Sequence, residues 1–315
     1  MNALQYKLYR LKYRYGHLLA LRKPVDISLE LSSVCNMACT YCYHGDKANL
    51  PFKMKFMEWD TARSILRQGA ELGVNSVKTN WRGESTLNPK FENITRLAKS
   101  YAEGMTYIDR ITNSNFKFNN NRDDIFRGLC NQTVVKVSYD SFNKEVFEKQ
   151  RALGDHDLTT ANIDRFYNWR GRNNRLVIQA VRTTRNKDED FEYEIRSRWP
   201  SAELSVRDVV PGRSDKNYDA LLVKEQSQKR QSCRQAHVRL IFDYSGKPTV
   251  CCPDIKNQLS KLGDIHTHTM YEMFNSDFVK NLRQELRNGK AFLNDPCKTC
   301  SSHETYVGYE APWKS

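Results

Sequence analysis

Cys35, Cys39 and Cys42 stand in the run Cys35-Asn36-Met37-Ala38-Cys39-Thr40-Tyr41-Cys42. Three thiolates spaced x3 then x2 in a loop can take three corners of one [4Fe–4S] cube, and with no fourth cysteine nearby one iron stays open to a further ligand. The same residues would also suit a zinc site short of one ligand, which His44 could complete, or a set of reactive thiols. Zinc sites prefer paired C-x2-C units, which favours iron–sulfur. A second set lies downstream: Cys233, twelve residues, Gly246, four residues, Cys251, and then the pair Cys297-Lys298-Thr299-Cys300. Four thiolates can close a whole cube, or a structural four-cysteine zinc site. Gly246 suits a tight turn that needs positive φ. The two remaining thiols are Cys130, in an expected helix where a lone cysteine usually packs as a small hydrophobe, and Cys252, a candidate alternate ligand beside Cys251.

The chain that carries these sites has 315 residues, enough for one large domain and a smaller appendage. Its nine cysteines are odd in number and clustered, which speaks against a disulfide framework and for metal ligation in a reducing compartment, the cytoplasm. Mean hydropathy is −0.73, and no apolar run is long enough for a membrane span. Sixteen Tyr, 14 Phe and 5 Trp can fill a core, which argues against disorder. The net charge of +13 favours acidic partners such as nucleic acid, phosphorylated metabolites or anionic lipid, and bears on association, not on fold.

Positioning elements follow from periodicity. Residues 1–24 read as a basic N-terminal helix, with Leu4, Leu8 and Leu11 at helical spacing and six Lys/Arg but no acid in the first 23 residues. The expectation is a solvated helix packed on the body by its leucines and tyrosines, with an arm that touches nucleic acid, lipid or protein as the alternative. From 25 to 211 the strand candidates Ile27–Leu31, Ser76–Asn80, Tyr107–Thr112, Val134–Tyr139, Leu176–Arg182 and Leu204–Val209 alternate with amphipathic helical stretches. Six alternations imply βαβ units and a parallel sheet, either an open partial (β/α)6 barrel or a doubly wound sheet, with the active site at the carboxyl ends of the strands. Residues 212–231 read as a linker, and 232–315 as a small α+β domain. A hairpin is expected in it from Leu240–Phe242 and Thr249–Cys251, and a helix near Ser276–Asn288.

The first cysteine run, placed after the first strand and with Tyr41 before its last cysteine, resembles the hallmark of the radical SAM superfamily. The resemblance continues in order along the chain. Trp81-Arg82-Gly83-Glu84 is similar to the family's Gly-Gly-Glu-Pro segment, with Arg82 and Ser85 departing from it. Thr112-Asn113-Ser114 resembles the Thr-Asn-Gly that ends the third strand, and Ser138, Asp140 and Arg151 resemble the Ser-x-Asp and downstream Arg near the SAM carboxylate and ribose. Gln179 falls on the fifth strand, where ribose contacts are usual. The second cluster resembles the twitch domain, a shortened SPASM domain. The resemblance implies two [4Fe–4S] clusters and SAM as cofactors, with Cys35, Cys39 and Cys42 holding the SAM-binding cluster and Cys233, Cys251, Cys297 and Cys300 the auxiliary one. Tyr41, Gly83, Glu84, Asn113, Ser138, Asp140, Arg151 and Gln179 would then bind SAM.

The reaction so implied is reductive cleavage of SAM, hydrogen abstraction from a substrate and oxidation of the substrate radical through the auxiliary cluster. A flavodoxin or ferredoxin would supply electrons. Candidate outcomes are dehydrogenation of a small polar metabolite or sugar, and peptide modification. Only about 24 residues precede the first strand, too few for a peptide-clasping module, which tilts the expectation towards a small molecule. Epimerisation would need a hydrogen donor, for which Cys130 and Cys252 are the candidates. Arg165, Arg170, Arg172 and Arg175 raise the alternative of a modified nucleic-acid base, although a solvated basic face is the favoured reading of them. A non-catalytic iron–sulfur or zinc protein is the remaining alternative. Tyr139, Asp208, Arg207, His237 and Tyr306 are weaker candidates to face the substrate.

Overall fold

The described residues of the computed structural model are 3–209 and 233–300, apart from Met105, Asn120, Arg172, Asn173, Asn294 and Thr299. The expected linker at 212–231 and Tyr306 lie outside them. The elements run α1 (Ala3–Tyr15), β1 (Asp26–Leu29), α2 (Trp59–Glu71), β2 (Ser76–Lys78), α3 (Phe91–Ser100), β3 (Asp109–Ser114), α4 (Asp123–Cys130) and β4 (Val134–Ser138). They continue α5 (Lys144–Gln150), α6 (His156–Trp169), β5 (Arg175–Arg182), α7 (Phe191–Arg198), β6 (Glu203–Asp208), α8 (Gln235–Val238), β7 (Arg239–Phe242), β8 (Pro248–Thr249), α9 (Met270–Phe274) and α10 (Asp277–Asn288). Each of the six expected strands is present within a few residues. Side chains start several of the helices, since Asn143, Asp155, Asp190 and Ser276 accept the backbone N–H three residues on. Thr269 and Glu272 close a capping box on α9.

The sheet order is β6-β5-β4-β3-β2-β1-β7-β8, with parallel pairing from β6 through to β7 and an antiparallel β7–β8 edge. Strands β1 to β6 follow one another without reversal. A doubly wound sheet would reverse at a switch point, so the order decides for the singly wound, barrel-like arrangement. Ile27 faces Gly69 on α2, so the apolar residues of β1 point to the helix layer, and Asp26, Ser28 and Glu30 point the other way, into the lumen. The expected hairpin is β7–β8, and Gly246 in its turn has φ of 89°. Its first strand does more than pair with β8: β7 runs parallel to β1, with Asp26 opposite Arg239.

The leucine face of the N-terminal helix is corrected by the structure. Leu4, Leu8 and Leu11 are exposed, whereas Tyr9 is buried and Tyr6 and Tyr13 are half-buried. The physical cause lies at the bottom of the lumen, where buried charges need polar partners that leucine cannot supply. Asp26 accepts from Arg239 Nε at 2.8 Å and Ser76 Oγ at 3.0 Å, Arg239 donates to Tyr13 Oη at 2.6 Å, and Tyr9 donates to Asp109 at 3.2 Å.

His237, a weak candidate from sequence, is a buried residue of α8. Burial, with Arg287, Arg283 and His17 adding to it, lowers its pKa from 6.5 to about 4. A folded-state pKa below the unfolded one means that the unfolded chain takes up the proton first as pH falls. Stability is therefore expected to fall between pH 6.5 and about 4, by up to about 1.4 kcal/mol per pH unit from this residue. Urea midpoints measured across that range should show a shallower acid slope for His237→Gln; an unchanged slope would assign the loss elsewhere.

Candidate active site

The loop that carries the first three cysteines leaves β1 at the carboxyl end of the sheet and is fastened on several sides. Ala38 N–H donates to Ala152 O at 2.7 Å and Thr40 N–H to Gln150 O at 3.0 Å, which ties the loop to the end of α5. Asn36 donates to Lys117 O and accepts from Asn115, both at 2.7 Å, which ties it to the segment after β3. Lys47 donates to Cys35 O at 3.1 Å, and Cys42 N–H donates to Cys39 O at 3.0 Å.

The segment after β2 supports the same loop from beneath. Glu84 N–H donates to Val34 O at 2.8 Å. A Cβ on Gly83 would stand 2.5 Å from the carbonyl oxygens of Ser32 and Val34 and 2.7 Å from the carbonyl carbon of Ser33. Only glycine permits backbone to approach backbone this closely. The Glu84 carboxylate is buried; it accepts from Thr86 Oγ1 at 2.7 Å and from Asn115 N–H at 2.7 Å, and burial raises its pKa.

Asp140 is fully buried and gathers three segments. Tyr41 donates to its Oδ2, while Arg151 Nη2 at 2.8 Å and Val181 N–H at 2.9 Å donate to its Oδ1. The Arg151 guanidinium also reaches Cys39 Sγ at 3.7 Å, and its Nε is buried without a hydrogen-bond partner. Asn113, Ser138 and Gln179 lie across the carboxyl ends of three neighbouring strands: Ser138 donates to Asn113 at 3.2 Å and stands opposite Gln179.

Burial pushes the Cys35 and Cys39 thiols up to about 12, with Glu84 adding to the first and Arg151 opposing the shift in the second. A thiolate there needs a cation, which iron supplies. His44 takes no place beside these thiols as a fourth ligand. It is buried, donates from Nε2 to Arg82 O at 3.1 Å, and packs on Phe52, and burial brings it down to about 4. Among the described residues no three His, Cys, Asp or Glu side chains converge closely enough to hold one metal ion. A cube requires no such convergence, because each thiolate binds its own iron. The glycine cradle, the orphaned Arg151 Nε and the buried thiols all fit a cluster with an anionic ligand at its open corner.

Cys233, Cys251, Cys297 and Cys300 are brought into one region. Burial raises Cys233 to about 12, with Cys297, Cys300 and Cys252 adding to the shift, and raises Cys251 as well, with Cys252, Cys233, Cys300 and Cys297 adding to it. Cys300 N–H donates to Cys297 O at 3.4 Å. Cys252 thus stands with this set, and its carbonyl accepts from Trp81 Nε1 at 2.9 Å. Cys130 ends α4 in the helix layer, away from the lumen. Tyr139 points the same way, bonded to His156 and Thr160.

The feature that sequence reasoning missed is Arg82. It forms a bidentate pair with Glu30, at 2.6 Å for both contacts, donates to Ile255 O at 3.0 Å, and lies between Trp81 and Phe52. A carboxylate at the end of a buried strand was the available signal. Among the arginines that raised the nucleic-acid alternative, Arg165 pairs with Asp123, Arg175 pairs with Glu203, and Arg170 donates to Asn174 O and Ser201; Arg172 lies outside the described residues.

Residues 233–301 match the SPASM family, described as an iron–sulfur cluster-binding domain. Across the fold, the chain resembles the crystal structure of BtrN in complex with AdoMet and 2-DOIA, with a TM-score of 0.58 and 15% identity over 88% of this chain and 92% of that one. It also resembles anSMEcpe with bound AdoMet and Cp18Cys peptide, with a TM-score of 0.64 and 16% identity over 90% and 88% of the two chains. The chain thus carries a match to the SPASM iron–sulfur domain at residues 233–301, on a fold like that of these AdoMet-bound enzymes. The AdoMet bound in those two structures, and the iron–sulfur description of the SPASM match, agree with the cofactors expected from the sequence. A third likeness, to Streptococcus suis SuiB bound to the precursor peptide SuiA, has a TM-score of 0.63 at 13% identity, over 89% of this chain and 70% of that one. By sequence, 148 residues are 27% identical to the GTP 3',8-cyclase of Actinobacillus pleuropneumoniae serotype 3 (strain JL03); they make up 46% of this chain and 42% of the cyclase. No helix among the described residues is long and apolar enough to cross a membrane.

Two substitutions probe this geometry. Gly83→Ala forces backbone apart beneath the cysteine loop, so a loss of about 1–3 kcal/mol in stability is expected, together with lowered iron retention after reconstitution. Normal iron content and stability would show that the close approach is dispensable. Arg82→Met strands the Glu30 carboxylate, for which about 3–5 kcal/mol is expected in urea unfolding, while Arg82→Met with Glu30→Met should recover most of it.

Proposed function

We propose that this protein cleaves SAM reductively, uses the product radical to take a hydrogen from a small polar substrate, and oxidises that substrate. The observation that carries the reading is the meeting of the Cys35–Cys42 loop with the Gly83–Glu84 segment and the Asp140–Arg151 pair at the carboxyl ends of the strands. When bound, the three-thiolate cluster supplies an open iron that chelates SAM and the electron that breaks its sulfonium to give a 5′-deoxyadenosyl radical.

The chain's own residues bind and orient. Cys35, Cys39 and Cys42 hold that cluster, and Gly83 lets the supporting backbone come close enough to carry the loop. Glu84 and the backbone beside it receive the SAM amino group. Arg151, held by Asp140, turns its unsatisfied Nε to the SAM carboxylate. Asp140, which accepts from Tyr41, Arg151 and Val181 N–H, fixes Tyr41 and Arg151 in place. Asn113, Ser138 and Gln179 contact the adenosine portion from the strand ends. Cys233, Cys251, Cys297 and Cys300 hold the second cluster, which supplies an electron acceptor for the substrate radical.

BtrN in complex with 2-DOIA supports a small-molecule substrate, and the peptide complexes of anSMEcpe and SuiB support peptide modification as the second reading. Cys130 in the helix layer is poorly placed as a hydrogen donor, which leaves Cys252 as the candidate donor for epimerisation. The natural setting is the reducing cytoplasm, with a flavodoxin or ferredoxin as reductant.

Anaerobic reconstitution followed by dithionite and SAM tests the reading. Wild type should bind about eight irons and release 5′-deoxyadenosine. Cys39→Ala should abolish that product, while Cys297→Ala should lose up to about half the iron and still cleave SAM. Absence of 5′-deoxyadenosine from iron-replete wild type would refute the assignment.

A further inference from the structure

Strand alternation puts a group of cations on the lumen face of the sheet. Lys136 on β4 stands opposite Asn113 and Val177 and two residues before Ser138, so it shares their face. Two residues of strand place it about 6.7 Å deeper than Ser138, within a lysine side chain's length of the adenosine site proposed above. Lys78 on β2 and Arg207 on β6 reach the same lumen, and both act on Lys136 electrostatically. Arg207 stands opposite Val181, one step above Gln179 on the same face.

Several charges around Lys136 are already engaged. Arg175 is tied to Glu203 at 2.6 Å. Lys78 shares Asp26 with Arg239, at 3.4 Å and 2.8 Å respectively. Asp109 already takes hydroxyls from Tyr9 and Thr133. Lys136 has no hydrogen bond or ion pair with any other described residue; Arg207, Lys78 and Arg175 act against its charge, and Asp109 acts for it. Burial first, then Arg207 and Lys78, bring it down to about 7. An anion beside this half-buried lysine would hold it in its charged form, which a neutral sugar would not. An oxyanion would supply short, charge-assisted hydrogen bonds.

We propose that the lumen beneath the SAM site is an oxyanion pocket centred on Lys136, with Lys78 and Arg207 beside it, and that the substrate presents a phosphate or carboxylate there. The pocket rests on the reading of the lumen as the chamber where substrate meets the radical. It narrows the substrate to an anionic metabolite, anchored at its charged end while a C–H bond points up towards Ser138.

The test uses inorganic pyrophosphate as probe, titrated calorimetrically into anaerobically reconstituted full-length protein. Lys136→Met should weaken binding at least about tenfold, Lys136→Arg should restore most of it, and Lys280→Met on the exposed face of α10 should match wild type. Equal affinity in wild type and Lys136→Met, or no binding by wild type, overturns the proposal. A second readout needs no variant: pyrophosphate should shield Lys136 from acetic anhydride at pH 7, cutting its acetylation about fivefold by mass spectrometry. Acetylation of Lys136 that pyrophosphate leaves unchanged overturns it too. Failure of the same wild-type preparation to cleave SAM would strike the radical reading instead, since anion binding requires no radical.

Discussion

The buried pair between Arg82 and Glu30 is the contact on which the two cysteine regions depend for their mutual position. Glu30 ends the strand that launches the first cysteine loop, and Arg82 begins the segment that supports it. The same guanidinium bonds to Ile255 O in the C-terminal region, and Tyr244 N–H donates to Glu30 as well. Burying two charges costs several kcal/mol per ion before their attraction is counted. Here two parallel bonds of 2.6 Å, a third donor used on a carbonyl, and flanking aromatic faces offset that cost. The orientation that results is specific: a guanidinium has one plane, and three elements must meet it.

Around that pair the sheet separates two chemistries. The helix side is apolar and conventional, with Ile27 against Gly69 and Tyr107 donating to Leu66 O. The lumen side holds Asp26, Glu30, Lys78, Asp109, Lys136 and Arg207, and each of these needs a polar partner or a ligand. The tyrosines of α1 satisfy the bottom of the lumen, the Glu30–Arg82 pair occupies the side next to the C-terminal region, and the glycine-supported cysteine loop covers the rim. A parallel sheet buried on both faces usually reads as an unbroken apolar run. The polar alternation along these strands is the mark of a chamber.

Much of the architecture was legible in the sequence because βαβ units are local. Alternation of apolar runs at periods of two and 3.6 located six strands, and x3-x2 cysteine spacing pointed to the candidate site. Strand order then removed the doubly wound alternative, which periodicity could not do. The inward face of α1 was misread because leucine spacing suggests burial, whereas what decided the packing was Asp26, Asp109 and Arg239, residues far off in the chain. The Arg82–Glu30 pair was hidden for the same reason: its partners are 52 residues apart, and no local pattern links them. That Asp140 also ties Tyr41, Arg151 and Val181 N–H together was not legible, because these partners lie far apart in the chain.

Because β7 lies beside β1, the strand that launches the cysteine loop keeps one open edge until about 210 further residues have been made, Asp26 and Arg239 being 213 positions apart. On the ribosome the first six strands emerge well before that edge can be filled, and domains form roughly in order of synthesis. Closing so long a loop is entropically slow, so maturation is gated by the arrival of the carboxyl-terminal third. A nascent chain stopped short of β7 would display a template for foreign strands.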